Sequence, residues 1–571
     1  MTTRRQLFQF AGGSAVGLML TPAPWRVLTD LALWSENWPG VPRPARGEVR
    51  FQFTHCALCP AGCAVRARCV GDRPVSMAGV NGGLCPAGVT GHHLPYHPAR
   101  LLAGDRQKAA ADVAGAMARM KAEERLAVLD LAPGRTASWS YRRSLAALDR
   151  GVYLAPEEPA CAVDLLPART VLSVGVPLFD GWGRPVRVKA ARPNFRLIQV
   201  EAMESGTAML ADDWLAVRAG SEAMVARAAA GLATVEQAAE ATGLSAERIA
   251  AVVKSVREDA PAVIIGPEMS AEVLGWNVRI GAWGKTVFPR REAPVPKEWS
   301  KAAPVTRLAA VADGSLRVLL IDDSAPGAIV PWAEIQPKLA ADAVVVAFSW
   351  SRGGYAGHAT HVLPTAVYPE APGDLPAPMD APAREFRLTV PLMAAPEGMT
   401  DPVEFAGALA ELDVHNALRE RADAIHAAAR LDGKPDDFWK ALNAGHAWTG
   451  KAEPCGRAPE IAASTIAAPA PDAQWPLRLA FDSPAAPPLA SPLFSKLWQE
   501  SQLCLGPGRV ALHPDAAFEN GMRAALETPY GRRQVEVTLD ASVPPGIVLA
   551  GGWPEVSAIH GADGRARLVR I

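Results

Sequence analysis

Six short, nearly continuous apolar runs punctuate the chain: Leu126–Leu131, Thr170–Gly175, Phe195–Val200, Ala262–Gly266, Leu316–Ile321 and Ala343–Ala347. Runs of this length without polar alternation are the pattern of strands buried on both faces of a parallel sheet. Between them the period changes. After Gly243, Ser245 stands as a helix N-cap, and Ile249, Val252, Val253 and Val256 follow at i, i+3, i+4 and i+7, which is one face of a helix. Strands alternating with helices predict α/β layers with right-handed crossovers. A Pro/Ala-rich stretch from Glu453 to Pro471 breaks the pattern and reads as linker. The short β-like runs after it, divided by Gly and Pro, predict a small barrel.

Length and composition sharpen this picture. The 571 residues allow roughly three or four domains. An apolar share of 49 % with 20 % charged residues is that of a globular protein and excludes disorder. The net charge of −1, from 58 basic and 59 acidic side chains, argues against nucleic acid as a partner. The start reads as an address. Thr3-Arg4-Arg5-Gln6-Leu7-Phe8 carries a twin-arginine pair, followed by a Gly-containing apolar run from Phe8 to Leu20, too short to span a bilayer as a helix. A twin-arginine leader predicts export of an already folded, cofactor-loaded protein. A small-x-small cleavage site is not clear after Leu20, which leaves a retained anchor as the alternative to cleavage. No later stretch reaches 18 uninterrupted apolar residues, so the remainder is expected to lie outside the membrane.

The eight cysteines are not spaced as a disulfide framework. Cys56, Cys59, Cys63, Cys69 and Cys85 fall close together, while Cys161, Cys455 and Cys504 are scattered. Four of the five make a C-x2-C-x3-C-x21-C pattern. Two or three intervening residues let a tight loop aim thiolates at adjacent corners of an inorganic cube, and the fourth arrives from a distant turn. Gly62 and Gly88 suit close backbone approach, and Pro60 and Pro86 stiffen the turns directly after two of the ligands. The expected site is thus a [4Fe–4S] cluster on Cys56, Cys59, Cys63 and Cys85, with Cys69 a leftover buried thiol. Zinc on four thiolates is the rival, although such sites usually pair two C-x2-C arms and the second arm is missing. Disulfides are the third reading. His92, His93 and His97 follow closely and read as loop or interface histidines, since thiolates already complete the site.

Taken in order, these pieces resemble the start of the molybdopterin oxidoreductase superfamily, which includes formate dehydrogenases, nitrate reductases and polysulfide reductases. After the cysteines, Tyr96-His97-Pro98-Ala99-Arg100-Leu101 resembles that family's exit from its cluster domain. Thr170–Pro177 resembles its strand-then-turn, and Ala211–Glu222 its Ala-Asp-x-Trp-Leu segment. His361-Val362-Leu363-Pro364 and Glu370 match a later motif. His513-Pro514-Asp515-Ala516, Gly521, Gly531, Val535 and Val537 resemble the C-terminal cap.

The resemblance implies an α/β, multi-domain molybdopterin oxidoreductase fold with an N-terminal iron–sulfur domain, two parallel-sheet α/β domains and a C-terminal β-barrel cap. The expected layout is a twin-arginine signal over 1–24, an arm over 25–48 and a [4Fe–4S] domain over 49–105. α/β domains over 106–300 and 301–450, a linker over 451–474 and a barrel similar to molybdopterin dinucleotide-binding domains over 475–571 complete it.

Departures from the family shape the functional expectation. Its Cys-Pro-Lys-Gly, whose Lys is thought to bridge cluster and pterin, is Cys85-Pro86-Ala87-Gly88 here. Its metal-coordinating side chain lies in a long connection, but only Ala155–Arg169 separate Leu154 from Thr170. Cys161 is the sole soft candidate there, and a lone Cys is more often a small hydrophobe. Asp180-Gly181-Trp182-Gly183 and Asp322-Asp323-Ser324-Ala325-Pro326 occupy the turns that cradle diphosphates. Two carboxylates there oppose a dinucleotide, unless they are solvated loop charges. These changes count against a molybdopterin guanine dinucleotide. They resemble the cofactor-poor subunits of menaquinone-reducing and alternative complex III-type assemblies, as does the Trp-rich segment Pro24–Pro39. The implied protein is an iron–sulfur electron-transfer subunit of a membrane-associated respiratory quinone oxidoreductase. Its pterin site is degenerate, and it lies peripheral to the membrane on the periplasmic face. Its implied partners are a ferredoxin-like iron–sulfur subunit, a multi-haem cytochrome c and a polytopic quinone-binding subunit. The alternatives are an active molybdenum or tungsten bis-pterin oxidoreductase acting on a small substrate of the formate, nitrate, polysulfide or thiosulfate class, and a non-redox scaffold holding zinc.

Overall fold

In a computed structural model of the protein, the described residues are 3–20, 47–97, 100–266, 269–325, 327, 329–351, 354–461, 473–481, 508–550, 559 and 564–571. The Pro24–Pro39 segment, Pro98, Ala99, Pro326, the linker from 462 to 472 and Cys504 lie outside them. Arg4–Leu20 is a helix, exposed from Arg4 to Ser14. Among the described residues no helix is long and apolar enough to cross a membrane.

Strands β1 (Val49–His55), β2 (Ala64–Val70) and β3 (Arg73–Gly79) form an antiparallel sheet in that order. The chain then builds β4 (Arg125–Asp130) and β5 (Gly151–Leu154), followed by β6 (Cys161–Val163), β7 (Thr170–Val174), β8 (Arg196–Glu201), β9 (Asp213–Ala216), β10 (Ala262–Ile265) and β11 (Val287–Pro289). It continues as β12 (Val305–Thr306), β13 (Leu316–Asp323), β14 (Leu339–Ser349) and β15 (His361–Pro364). Two parallel sheets result, ordered β12-β5-β4-β13-β14-β15 and β10-β7-β8-β9, while β6 and β11 pair antiparallel. All six apolar runs are strands of these two sheets.

Why those runs lacked polar alternation is visible in β13. Val318 and Leu320 pack with Val128 and Phe348 on one side of the sheet, and Leu319 and Ile321 with Leu129 and Ala347 on the other. Both faces are core, so neither tolerates polar residues. The helix expected after Gly243 spans Ala246–Glu258, and the Ser245 side chain accepts from the Arg248 amide at 3.3 Å.

The six-stranded sheet crosses the boundary expected at residue 300. The six-stranded sheet takes β4 and β5 from before that point and β12 to β15 from after it, so the four-stranded layer is an insertion between two halves of one sheet. Parallel pairing permits this, because its crossovers need not join neighbouring strands. The connection from Leu154 to Thr170 also holds a strand, β6.

Short strands β16 (Gly373–Asp374), β17 (Glu385–Phe386), β18 (Leu388–Thr389) and β19 (Trp448–Thr449) follow. The tail closes into a six-stranded barrel of β20 (Leu477–Phe481), β21 (Gly508–Leu512), β22 (Arg523–Thr528), β23 (Gly531–Leu539), β24 (Ile547–Ala550) and β25 (Arg565–Arg570). Gly220, at φ +84°, is where the barrel meets the inserted layer: a side chain there would collide with Arg478 of β20.

The cysteine-bearing sheet is fastened to the six-stranded one by a buried ion pair. Arg100 Nη1 donates to Glu370 Oε1 at 2.6 Å, its Nη2 contacts Glu370 Oε2, and both side chains are almost wholly out of solvent. The Leu101 amide adds a bond to the Trp350 carbonyl at 2.9 Å. Two motifs far apart in sequence are therefore two halves of one contact. Glu370→Ala leaves Arg100 as an uncompensated buried cation, and we expect it to lower unfolding free energy by about 3–5 kcal/mol in urea denaturation. A loss below about 1 kcal/mol, the scale of an exposed pair, would show that the pair does not fasten the sheets.

Candidate functional site

The first three cysteines occupy the hairpin loop from β1 to β2. The Cys56 amide donates to the Cys63 carbonyl at 2.9 Å and the Gly62 amide to the Cys59 carbonyl at 3.3 Å, closing the loop into a compact turn. Gly62 adopts φ +59°, and a Cβ there would run into Arg387 and Leu375, so glycine is required both by the dihedral and by the neighbour. Cys85 stands before the short helix Pro86–Val89, whose Val89 amide donates back to the Cys85 carbonyl at 3.0 Å. Gly83, two residues earlier, lies flush against Val186, which fixes the approach of this turn.

Cys56 and Cys63 are buried and Cys59 and Cys85 half-buried, all as free thiols. Burial pushes the Cys56 thiol well above its ordinary value, and the nearby Cys59, Cys63 and Cys85 push it further. Cys63 is raised to about 12, again by burial first and then by Cys59 and Cys85. The four sulfurs are thus in electrostatic reach of one another. Backbone hydrogen bonds at Leu58 for Cys56, and at Ala61 and Gly62 for Cys59, work in the opposite sense and favour the thiolates. Among the described residues, no group of three or more His, Cys, Asp or Glu forms a ready-made site for a metal ion. Cys69 lies apart, buried on β2 with its thiol donating to Gln52 at 3.4 Å.

The guanidinium of Arg387 lies against the same loop. It is 2 % exposed, and its Nη1 donates to the carbonyls of Ala61 and Gly62, both at 2.8 Å. Glu385 is 3.7 Å from it and also accepts from Arg184 at 2.7 Å, which in turn holds Asp380. This network runs from the turn after β7 to the cysteine loop. Sequence reasoning missed Arg387, whose only signal is a charged run, Arg384-Glu385-Phe386-Arg387, within a Pro/Ala-rich stretch.

Beside the loop a cavity of about 390 Å³ opens at the carboxyl ends of β4, β5, β13 and β14, lined among others by Cys59, Leu131, Pro156, Trp350 and Tyr368. It lies where the strand order reverses between β4 and β13, the crevice in which open α/β sheets bind ligands. Its lining is mostly apolar. The two arginines at its edge are already engaged. Arg135 bridges Asp130 at 3.1 Å and Asp322 at 2.9 Å, and Arg290 pairs with Glu158.

Asp322 and Asp323 were expected as turn carboxylates; they are instead the last residues of β13. Asp322 is buried and accepts from Arg135 and from the Tyr141 hydroxyl at 2.9 Å. Asp323 is half-buried, and desolvation lifts its carboxyl to about 7 despite a bond from the Ser349 hydroxyl. A pair that looks like loop charge in sequence belongs to the strand end because its cation, Arg135, comes from the next turn of the sheet.

Cys161 does not reach the cavity. It sits in β6 opposite Pro289, wholly buried in the core of the inserted layer, and burial raises its thiol to about 12. The histidines after the cysteines pack locally, with the His92 and His93 rings 4.1 Å apart. His92 Nδ1 lies 3.1 Å from the Val89 carbonyl and His97 packs edge-on against Trp350 at 5.2 Å.

The solved structure of acetylene hydratase from Pelobacter acetylenicus superposes with a TM-score of 0.66 across 91 % of this chain and 100 % of that one, at 14 % identity. The chain therefore has the molybdopterin oxidoreductase fold that its motifs resemble. In sequence it is 26 % identical over 336 residues to the menaquinone reductase, molybdopterin-binding-like subunit, of Nitratidesulfovibrio vulgaris strain Hildenborough, covering 47 % of this chain and 48 % of that protein. It spans about half the length of that curated relative. No family model matches the chain.

Burial holds His55 and His97 each down to about 4. Both imidazoles are neutral in the folded protein and take up a proton near 6.5 once unfolded. Their contribution to stability is therefore full above about 6.5 and lost as pH falls toward 4. Urea midpoints should show the native protein losing stability relative to His97→Gln between pH 7 and pH 4; a difference constant across that range would contradict the assignment.

Proposed function

We propose that this chain is an iron–sulfur electron-transfer subunit of a membrane-associated menaquinone oxidoreductase complex, with the molybdopterin oxidoreductase fold and a degenerate pterin site. The observation that carries the reading is the placement of Cys56, Cys59 and Cys63 on one tight loop with Cys85 on a nearby turn, close enough that the other three raise the Cys56 thiol. The donor set fits a [4Fe–4S] cluster: four soft sulfurs on a tight loop and one distant turn, with backbone donors aimed at them. A cluster bound there supplies one-electron transfer. The chain's own contribution is to hold the ligands, keep water from Cys56 and Cys63, which are 4 % and 6 % exposed, and set the potential through hydrogen bonds and burial.

The name of the relative supports the quinone-reducing context. On this reading the protein is exported by its twin-arginine leader and sits peripherally on the periplasmic face of the inner membrane. Its partners are a ferredoxin-like iron–sulfur subunit, a multi-haem cytochrome c and a polytopic quinone-binding subunit.

Three features support a degenerate pterin site. Ala87 offers no cation between the cysteines and the cavity. Arg135 and Arg290 are committed to carboxylates rather than open to a diphosphate. A cavity of about 390 Å³ is in the lower part of the roughly 300–1,000 Å³ range for a single small ligand. The same cavity favours a second reading, an active molybdenum or tungsten enzyme, because it keeps space where folds of this kind bind ligands.

Metal analysis of the chain purified anaerobically with its partners separates these. We expect about four iron atoms per chain, a broad visible absorption that Cys63→Ser or Cys85→Ser abolishes, and neither molybdenum nor tungsten in stoichiometric amount. Stoichiometric molybdenum or tungsten with pterin fluorescence after oxidation would instead establish the second reading. Zinc without iron would leave neither standing.

A further inference from the structure

A cage of four thiolates around an iron–sulfur cube carries net negative charge, and burying it requires compensation within the protein. The geometry of the cysteine loop shows where that compensation originates. Arg387, more than 300 positions along the chain, reaches the loop carbonyls of Ala61 and Gly62 with one nitrogen and that of Pro376 with another, at 3.1 Å. Those two carbonyls belong to the residues between Cys59 and Cys63. Gly62 has no side chain where the guanidinium enters, and any larger residue would collide with it. Loop and arginine are therefore built for one another.

The carboxylate nearest the arginine is not its own: Glu385 lies 3.7 Å away but is shared with Arg184, which takes it at 2.7 Å, and with Arg187 at 3.6 Å. Arg187 also has Asp164 at 3.9 Å and Arg184 holds Asp380, so three guanidiniums meet three carboxylates. Arg387 is the one of the three that donates to the cysteine loop.

We infer that Arg387 is a positioning residue for the iron–sulfur cluster, clamping the Cys56–Cys63 loop through two carbonyls and supplying the buried positive charge that the four-thiolate cage lacks. This rests on the cluster reading above for its charge role, and on the loop geometry alone for its clamping role. A cation beside the cluster favours the reduced, more negative form, so its removal lowers the midpoint potential. Losing the clamp frees the loop amides.

Two variants and two readouts test this on the full chain with its partners. Arg387→Gln should lower the iron content per chain or, where the cluster is retained, shift its midpoint to more negative values in a potentiometric EPR titration. Amide exchange in the peptide containing residues 56–63 should also quicken. Arg387→Lys keeps the charge but not the fork of donors, so its midpoint should stay near the native one while exchange still quickens. Native iron, midpoint and exchange in a folded Arg387→Gln overturn the inference. If that variant does not fold, native exchange in Arg387→Lys overturns the clamp. If the native protein itself contains no iron, the cluster reading and the charge role fail together. The exchange rates then decide the clamp independently.

Discussion

Buried guanidinium groups organise the junction at which the layers of this molecule meet. Arg100 binds Glu370, Arg135 bridges Asp130 and Asp322, Arg184 takes Asp380 and Glu385, and Arg421 holds Asp374 at 3.1 Å. Each joins segments distant in sequence. A charge taken out of water must meet its partners in good geometry or the folded state suffers by several kcal/mol. Such pairs therefore give little net stability and strong specificity of register. The hydrophobic cores of the two sheets would tolerate small shifts, whereas a bidentate arginine–carboxylate contact admits one arrangement.

That constraint bears on the chemistry. The crevice at the carboxyl ends of a parallel sheet is where this class of fold binds ligands, and its phosphate sites depend on uncommitted cations and open backbone amides. Here the cations at the crevice are spent on structure. The soft donors, by contrast, are gathered at its edge in the β1–β2 loop and the turn at Cys85. Of the four cysteines, Cys59 reaches the lining of the crevice and the others lie in the loop and turn at its edge.

What was legible in the sequence follows from how local each signal is. The six strands could be read because both faces of each are buried, so hydrophobicity alone marks them, as Val318 and Leu319 illustrate by facing opposite cores. The helix after Ser245 was legible through its cap and its period. The cysteine spacing was legible because three of the four cysteines share one loop. The nested order of the sheets was not, since nothing in β5 or β12 shows that they pair: Val305 meets Tyr153 only after 150 residues of insertion. Asp322 and Asp323 were misread for the same reason, because their environment is set by Arg135, Tyr141 and Ser349, none of them adjacent in sequence. Arg387 escaped notice altogether, being an arginine in a Pro/Ala-rich stretch whose only distinction is where it ends up.

The distance between Arg387 and the loop it touches carries a consequence for assembly. The carbonyls it holds are 326 and 325 residues away in the chain, so the cysteine pocket is complete only when both halves of the six-stranded sheet have closed around the insertion. As the protein stands, burial and mutual proximity raise the thiols of Cys56, Cys59 and Cys63, and they are protonated at neutral pH. On the proposed reading, metal capture displaces protons from these thiols, and its affinity rises with pH.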